Sequence, residues 1–228
     1  MPTYNEVASL EKTISDVFLH NPSVEILVVD DSSPDGTYEL AHSISKLDSR
    51  VHTLLRKSKE GLGPAYLAGF SWGLGRDYEF IIEMDADGSH RGEDLTKLLA
   101  VANNFDLVIG SRWVSGGAVV NWPLHRKLIS RIGNFYARKM LGTSIRDMTA
   151  GFRCFRAGFL RQLELENISS AGYSFQVELA YKAFQNGVIG EVPITFVERL
   201  EGKSKMTLAI VLEALTKVTS WGLKRKKS

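Results

Sequence analysis

The sequence is poor in the residues that form disulfides and zinc clusters. It has one cysteine, Cys154, and five histidines, none of which lies four residues from another. A single cysteine excludes an intramolecular disulfide and fits a reducing compartment. The scattered histidines do not favour the kind of metal site in which two histidines share one helix face.

Long hydrophobic runs and a strong excess of one charge are also absent. No apolar run reaches the roughly 18 residues that cross a bilayer, so we expect no spanning segment and no secretion signal. The formal net charge is +2, and the tail Lys224-Arg225-Lys226-Lys227 carries four positive charges, so the rest is slightly acidic. Because nucleic-acid-binding proteins more often spread positive charge over a face, we expect no nucleic-acid partner.

Strand-like segments alternate with helix-like ones along the 228 residues. Apolar and β-branched runs predict strands at 24–30, 51–55, 80–84 and 107–109, and in a later segment, 188–197, that Pro193 interrupts. Apolar residues three and four positions apart predict helices carrying Val7, Leu10, Ile14, Val17 and Phe18, then Leu128, Ile132, Phe135, Tyr136 and Leu141, then Phe175, Leu179, Ala180 and Phe184. This alternation predicts an α/β fold, with a mostly parallel sheet flanked by helices.

The first six residues are unusual for such a fold. Met-Pro-Thr-Tyr-Asn-Glu resembles the turn that follows a first strand, yet no strand precedes it. We therefore expect the first strand to be missing, through truncation or a misassigned start, and one edge of the sheet to be weakened.

Two acidic pairs follow predicted strands. Asp85-Ala86-Asp87 comes after the run at 80–84, and Asp30-Asp31 ends the run at 24–30. Ligands of open α/β sheets bind at the carboxyl ends of the strands, and Mg²⁺ is often held by one or two carboxylates together with substrate phosphates. A solvated acidic turn is the alternative for either pair, but two such pairs at neighbouring strand ends favour a metal and nucleotide site.

A set of short motifs covers nearly the whole chain in order. They are Pro2-Thr3-Tyr4-Asn5-Glu6, Val28-Val29-Asp30-Asp31-Ser32-Ser33-Pro34-Asp35-Gly36-Thr37, Gly61-Leu62-Gly63-Pro64-Ala65-Tyr66, Met84-Asp85-Ala86-Asp87-Gly88-Ser89-His90, Gly110-Ser111-Arg112, Val120-Asn121-Trp122-Pro123, Asp147-Met148-Thr149-Ala150-Gly151-Phe152-Arg153 and Gly202-Lys203-Ser204-Lys205-Met206. Together they resemble glycosyltransferase family 2, and more narrowly its polyprenyl-phosphate (dolichyl-phosphate) mannose synthases of the bacterial type. Arg91 stands where that group usually has proline.

The resemblance implies a GT-A nucleotide-binding fold and a set of site residues. Donor-binding residues would be Pro2, Tyr4, Glu6, Asp31, Asp85, Asp87, Gln176, Arg199 and Lys205. Asp85 and Asp87 would hold Mg²⁺ or Mn²⁺ against the diphosphate. The acceptor phosphate would lie against Arg112, Arg126 and Ser130, and the catalytic set would be Asp87, Arg112, Arg126 and Asp147. Tyr4 as a packing residue and Glu6 as a helix cap are the alternatives for two of these positions.

The implied reaction is that of a dolichyl-phosphate β-D-mannosyltransferase, an inverting transfer of mannose from GDP-mannose to polyprenyl phosphate. A phosphate monoester is largely a dianion at neutral pH, so it needs no strong general base, and Asp147 is expected to orient other groups. Two alternatives stay open: a family member that uses UDP-glucose or another sugar nucleotide, and an inactive nucleotide-binding subunit of a membrane complex.

The last residues form a predicted amphipathic helix that ends in basic residues. We expect a catalytic domain at 1–205 and this helix with its tail at 206–228. The helix could lie on an anionic membrane surface or pack its apolar face on the domain. The lipid acceptor favours peripheral attachment to the cytoplasmic face of the membrane, through this helix or a membrane protein partner.

Two further motifs have weak structural support. Gly69-Phe70-Ser71-Trp72-Gly73 fits the nucleophile elbow of hydrolases, but it lies inside a predicted helix, without the strand that must precede it. Gly61-Leu62-Gly63 lacks the third glycine of a dinucleotide-binding fingerprint. We therefore expect neither chemistry.

Overall fold

The computed structural model describes residues 1–168, 170, 172–198 and 208–225. Its strands are β1 Pro2–Thr3, β2 Ile26–Asp30, β3 Val51–Leu55, β4 Phe80–Glu83, β5 Leu107–Ser111, β6 Ala118–Val120, β7 Arg153–Arg156, β8 Ile189–Pro193 and β9 Thr195–Val197. Its α-helices are α1 Leu10–His20, α2 Thr37–Leu47, α3 Leu62–Leu74, α4 Gly92–Val101, α5 Leu124–Leu141, α6 Ala157–Leu160, α7 Gly172–Asn186 and α8 Leu208–Arg225.

The strands form three hydrogen-bonded groups. The order β1-β2-β3 is parallel throughout. In the group β4-β7-β5-β8, β7 runs antiparallel to both of its neighbours, whereas β5 and β8 are parallel. The short strands β6 and β9 form a parallel pair. Most pairings in the described part of the chain are thus parallel, and helices flank them, which confirms the predicted α/β class.

The expectation that the first strand is missing is wrong, because Pro2–Thr3 forms β1, which pairs in parallel with β2. Pro2 lies opposite Val29 and Thr3 opposite Asp30, and the amino group of Met1 donates a hydrogen bond of 2.9 Å to the carbonyl of Leu27. Proline is tolerated here because it is the first residue of the strand. Pro2 and Thr3 therefore belong to the sheet, and the turn comes after them, where Asn5 has a φ of 61°.

The predicted strands agree with the observed ones to within a few residues, with two omissions. The interruption expected at Pro193 falls at Ile194, since Pro193 still pairs with Ser111 at the end of β8. Strand β6 is three residues long and half exposed, and β7 carries arginine at both ends. The apolar run of β6 is too short to indicate a strand, and in β7 only the two central residues are apolar.

Two clusters of buried side chains form the core. One joins α3, α5, α7 and α8 to one side of the sheet, through Phe70, Leu141, Phe155, Phe175 and Val218 among others. The second joins α1 and α4 to the other side, through Leu10, Val17, Val28, Leu98 and Phe152 among others. Each buried aliphatic or phenyl side chain contributes about 1.5–3 kcal/mol to folding. Cys154 lies in the second cluster, where burial raises the pKa of its thiol to about 12.

Helix α4 packs on α1 through a glycine. A Cβ on Gly92 would lie 2.3 Å from the carbonyl oxygen of Asp16, so no other residue fits there without a backbone shift. The amide of Gly92 donates to the carboxylate of Asp16 at 2.6 Å, and its carbonyl accepts from the side chain of Asn21 at 2.8 Å. This contact fixes the helix that follows the acidic motif.

Helix α8 packs against α5 and α7. Val218 is buried in the core, the hydroxyls of Tyr136 and Thr219 lie 2.5 Å apart, and a Cβ on Gly222 would lie 2.7 Å from the carbonyl oxygen of Met140. One side of α8 is therefore used in packing. Within the described residues, no helix is both long and apolar enough to span a membrane.

Candidate active site

A cavity of about 440 Å³ lies at the carboxyl ends of the strands. Its polar lining comes mainly from residues that end or follow β1, β2, β4 and β5 and from the first turns of α5, and much of its apolar lining comes from α5 and α8. The sequence-predicted residues that line it are Pro2, Tyr4, Glu6, Asp31, Asp85, Asp87, Arg112, Arg126, Ser130 and Gln176. Asp147 is not among the lining residues, and Arg199 and Lys205 lie outside the described part of the chain.

The two aspartates that end β2 have different surroundings. Asp30 is fully buried and accepts hydrogen bonds from the hydroxyl of Thr3 at 2.7 Å and from the amide and hydroxyl of Ser33 at 2.8 and 2.6 Å. Its carboxylate therefore holds the loop together. Asp31 lines the cavity and pairs with the guanidinium of Arg56 at 2.5 Å.

Tyr4 and Lys59 form a second contact at this end of the cavity. The ammonium of Lys59 lies 3.7 Å from the centre of the Tyr4 ring, and both side chains line the cavity. Sequence reasoning did not identify Arg56 or Lys59 as site residues, because each lies more than twenty residues from its partner and in no motif.

The acidic motif after β4 places two carboxylates at the cavity. Asp85 accepts a hydrogen bond of 3.2 Å from the hydroxyl of Tyr66, and its amide donates to Nδ1 of His90 at 3.1 Å. The carboxylate of Asp87 accepts from the amide of Ser89 at 3.0 Å. Burial raises the pKa of Asp85, and the charge of Asp87 adds to this effect.

This pair of carboxylates fits a divalent cation. Burial and the neighbouring charge disfavour the ionised form of Asp85, and a bound cation relieves both effects. In the described residues, no group of three or more histidine, cysteine, aspartate or glutamate side chains could hold a metal ion. Proteins often hold Mg²⁺ with one or two carboxylates, and substrate phosphates supply further ligands.

A buried ion pair lies behind the acidic motif. Arg153 of β7 and Glu83 of β4 are both fully buried, with Nε of the arginine 3.7 Å from Oε2 of the glutamate. Burial raises the pKa of Glu83 and lowers that of Arg153, and the charge of each partner opposes the shift of the other. The guanidinium also donates to the carbonyls of Met148 and Gln176, at 3.1 and 2.8 Å. It thereby fixes the first turns of α7, where the side chain of Gln176 lines the cavity.

Arg112 and Asp147 form a second buried ion pair, and this one faces the cavity through the arginine. The carboxylate of Asp147 accepts from Nε and Nη2 of Arg112 at 2.8 and 2.7 Å, and from its backbone amide at 2.9 Å. Asp147 is fully buried, whereas Arg112 lines the cavity. The rings of Trp122 and Phe196 lie 5.4 and 5.5 Å from the guanidinium carbon. Asp147 therefore lies behind Arg112.

Arg126 lies near the start of α5 and is paired with Glu198, which is not among the predicted site residues. Its guanidinium forms an ion pair with Glu198 and lies 4.1 Å from the centre of the Trp122 ring. Ser130, one turn further along α5, lines the same cavity. Arg112, Arg126 and Ser130 thus line one cavity, and their contact with an acceptor phosphate stays a prediction. In the sequence, Glu198 is indicated as a site residue by its position next to the predicted site residue Arg199.

A further part of the cavity lining is apolar. On α5 it is formed by Ile129, Gly133, Tyr136 and Ala137, and on α8 by Ala214, Leu215 and Val218. A cavity lined by carboxylates and arginines as well as by aliphatic side chains suits a ligand with a charged head and a hydrocarbon chain.

Comparison with known proteins places the chain in a family. The family model described as glycosyl transferase family 2 matches residues 1–164. Undecaprenyl-phosphate mannosyltransferase of Micrococcus luteus is 52% identical over 98% of this chain and 92% of its own length. Polyprenol monophosphomannose synthase of Mycolicibacterium smegmatis is 50% identical over 98% of this chain and 86% of its own length.

Solved structures with a similar fold are more distant in sequence. Glucosyl-3-phosphoglycerate synthase of Mycobacterium tuberculosis, in complex with Mn²⁺, UDP-glucose and glycerol 3-phosphate, has a TM-score of 0.62 and 17% identity, over 98% of this chain and 77% of that one. The same enzyme with Mn²⁺, UDP-glucose and phosphoglyceric acid has a TM-score of 0.65 and 16% identity, over 96% and 78%. These structures show the shared GT-A fold, and the family match confirms the resemblance: the chain belongs to glycosyl transferase family 2.

Proposed function

We propose that this protein transfers mannose from GDP-mannose to a polyprenyl phosphate, with inversion at the anomeric carbon. The observation that carries the proposal is that one cavity is lined both by carboxylates and arginines and by aliphatic side chains of α5 and α8. The names of the two relatives at 50–52% identity, both lipid-linked mannose transferases, support the acceptor class and the sugar.

The donor would lie along the ends of β1, β2 and β4. Pro2, Tyr4, Glu6 and Asp31 would contact the base and ribose. Lys59, held over the Tyr4 ring, adds positive charge beside them. The amide of Gln176 would hydrogen-bond hydroxyls of the sugar. Arg199 and Lys205 remain predicted partners of the phosphates.

Asp85 and Asp87 would hold Mg²⁺ or Mn²⁺ against the donor diphosphate. The bound cation would supply charge neutralisation for the departing nucleoside diphosphate. Within the protein, the hydroxyl of Tyr66 orients the carboxylate of Asp85, and Nδ1 of His90 holds the backbone of Asp85 by accepting from its amide.

The acceptor phosphate would bind between Arg112 and Arg126, with the hydroxyl of Ser130 as a further donor. Guanidinium groups bind phosphate oxygens through paired hydrogen bonds. The acceptor is already a dianion at neutral pH, so one of its oxygens can attack C1 of mannose without a strong general base. The bond from C1 to the diphosphate breaks as the new one forms, which gives a β-linked mannosyl phosphate. Asp147 would act by holding Arg112 in place.

The hydrocarbon chain of the acceptor would leave the site along the apolar lining between α5 and α8. A polyprenyl lipid must be met at a bilayer, so we propose peripheral attachment to the cytoplasmic face of a membrane, alone or with a membrane protein partner. The division into a catalytic domain at 1–205 and a helical tail at 206–228 is part of this proposal, although α8 shares the hydrophobic core.

The test is transfer of radiolabel from GDP-mannose into an organic-soluble product, with detergent-solubilised polyprenyl phosphate and Mg²⁺ or Mn²⁺. We expect a mannolipid that mild acid hydrolyses and that Asp87→Ala fails to produce. Label from UDP-glucose and none from GDP-mannose would replace the donor and keep the acceptor. The absence of transfer from any sugar nucleotide would refute the proposal.

A further inference from the structure

A second cavity, with a volume of about 410 Å³, is rich in arginine. We call it the arginine cavity, and three arginines, two aromatic residues and one asparagine line it: Arg131, Arg138, Arg146, Trp113, Phe135 and Asn134. At about 100° per residue, its α5 residues and those of the candidate active site fall on different sides of that helix. Within the part of the chain that the structure describes, no residue lines both cavities, so the two are separate.

Two of the arginines lie against aromatic rings and not against carboxylates. The guanidinium carbon of Arg131 lies 5.0 Å from the centre of the Trp113 ring, and that of Arg138 lies 6.0 Å from the centre of the Phe135 ring. Among the described residues, neither arginine forms an ion pair and no acidic residue lines the cavity. Cations gathered in a cleft without counter-charges raise the local concentration of anions.

The carboxylates close to the third arginine are engaged elsewhere. The carboxylate of Glu191 accepts from the backbone amides of Arg146 and Asp147, at 2.8 and 3.0 Å. The carboxylate of Asp147 accepts from Arg112. The guanidinium of Arg146 forms no ion pair with any residue that the structure describes. All three cations of the arginine cavity therefore remain available to a ligand.

Two buried polar atoms of the same cavity residues have no hydrogen-bond partner in the described part of the chain. They are the indole Nε1 of Trp113 and the amide oxygen of Asn134, a residue that is 3% exposed. Buried polar groups are nearly always hydrogen-bonded, and leaving one unpaired destabilises the fold. A phosphate oxygen would accept from the indole N–H, and a hydroxyl group on phosphorus would donate to the amide oxygen.

The arginine cavity lies behind Arg112. The side-chain amide of Asn134 donates to the hydroxyl of Thr149 at 3.2 Å, and Nη2 of Arg112 donates to the same oxygen at 2.9 Å. The guanidinium carbons of Arg112 and Arg131 lie 5.8 and 5.0 Å from the centre of one Trp113 ring. They are therefore at most about 11 Å apart, close to the Debye length of about 10 Å at 0.1 M salt, so charge bound at Arg131 acts on Arg112.

We propose that the arginine cavity is a second anion site, which binds a soluble compound that carries two or more phosphate groups. Guanidinium groups hold phosphate oxygens through paired hydrogen bonds, and three of them suit a ligand with more than one negative charge. No aliphatic side chain is found in its lining as described, which favours a free phosphate compound over the head group of a lipid. An occupied site weakens the attraction between Arg112 and a second phosphate.

The test is a titration of the ¹⁵N-labelled full chain with inorganic pyrophosphate, with EDTA present so that no divalent cation is bound. The chain has four tryptophans, and their indole N–H signals are assigned by the loss of one signal in each Trp→Phe variant. The signal of Trp113 should shift and saturate, with a Kd below about 1 mM. Trp122 lines the candidate active site, so its signal reports on pyrophosphate bound there instead.

A triple variant removes the cations of the arginine cavity. Arg131→Gln, Arg138→Gln, Arg146→Gln should bind pyrophosphate at least about thirtyfold more weakly, at about threefold for each guanidinium lost. Its charge-matched control is Lys12→Gln, Lys46→Gln, Lys57→Gln, three exposed lysines elsewhere. Because the three arginines form no ion pair within the described residues, the triple variant should keep the wild-type unfolding midpoint.

A single variant tests the indole donor. Trp113→Phe keeps an aromatic ring and removes Nε1, so calorimetry should show pyrophosphate binding about two- to tenfold more weakly. Trp72→Phe, far from the cavity in sequence and not among its lining residues, is the control and should bind as the wild type does. Dihexanoyl phosphatidylglycerol, whose phosphate carries one negative charge, should bind more weakly than pyrophosphate.

The effect on Arg112 has a kinetic readout. At fixed free Mg²⁺ and saturating GDP-mannose, pyrophosphate should raise the KM for polyprenyl phosphate by about twofold more in the wild type than in the triple variant, because charge is screened over this distance. Competition by pyrophosphate in the candidate active site is common to both proteins. An equal rise in both would overturn the link to Arg112.

Three results would overturn the site itself. They are a shift of the Trp122 signal without one of Trp113, an equal loss of binding in the lysine control, and tighter binding of the lipid than of pyrophosphate. The inference goes beyond the proposed function, and the titration involves no transfer of sugar. Saturable binding at Trp113 in a chain that transfers no sugar would therefore refute the proposed function and leave this site in place.

Discussion

Replacement of Asp147 by asparagine tests whether this residue acts through Arg112. The change keeps the size of the side chain, removes its charge and puts an amide donor where one oxygen accepted from the guanidinium. Asp147 is fully buried and accepts three hydrogen bonds from Arg112, at 2.7, 2.8 and 2.9 Å. Asparagine can keep some of these bonds but leaves a buried guanidinium without its counter-ion.

The expected size of the effect follows from these contacts. Breaking a buried ion pair by removing one partner costs about 3–5 kcal/mol of folding stability. If the displaced guanidinium of Arg112 also loses one charge-assisted hydrogen bond to the acceptor phosphate, the transition state loses about 1.5–3 kcal/mol. That energy corresponds to a fall of about 10- to 150-fold in kcat/KM for the acceptor.

The measurement is a double-mutant cycle on kcat/KM and on the free energy of unfolding, with Arg112→Met as the second change. Since Asp147 is proposed to act through Arg112, Asp147→Asn should cost little in the Arg112→Met background. The pH dependence of kcat should keep its shape in Asp147→Asn. Additive losses, or the disappearance of one limb of the pH profile, would refute the argument and make Asp147 a group that meets substrate directly.

Two further changes test the acceptor site and the packing around it. Glu198→Gln should lower the KM for polyprenyl phosphate by about two- to fivefold and leave the KM for GDP-mannose unchanged, because the carboxylate no longer competes with the acceptor for Arg126. Acceptor-saturation kinetics measure this change, and a raised KM for polyprenyl phosphate would contradict it. Gly92→Ala should destabilise the fold by about 1–3 kcal/mol in urea unfolding, because the new Cβ meets a backbone carbonyl of α1. Gly158→Ala is the control and should not destabilise the fold, since nothing lies within 4 Å of its new Cβ. Equal unfolding midpoints for the two variants would show that α1 shifts freely.

The sequence predicts the parts of the fold whose pattern is local. Strands β2 and β3 are recognisable because each is a continuous run with apolar or β-branched residues, and Asp85 and Asp87 are placed by the strand that precedes them. The first strand was misjudged because a two-residue strand that begins with proline has no periodicity to detect. Its pairing with β2 depends on contacts 27 residues away.

The parts that sequence does not predict are pairings between distant charged residues. Arg153 gives β7 a polar appearance, and only the fold shows that Glu83 lies beside it. Likewise Asp147 meets Arg112 across 35 positions, and Glu198 meets Arg126 across 72. The motif set supplied candidates for both arginines, but which carboxylate holds which arginine is fixed by tertiary structure alone.

The burial of Cys154 has a practical consequence. It is the chain's single cysteine, it is 1% exposed, and its thiol has a pKa of about 12, so it forms almost no thiolate at neutral pH. Maleimide dyes and spin labels react with thiolates, so the native protein is silent towards them without any substitution. A cysteine introduced at Leu124 would therefore be the only site labelled, and a polarity-sensitive dye there would report directly on the surroundings of α5.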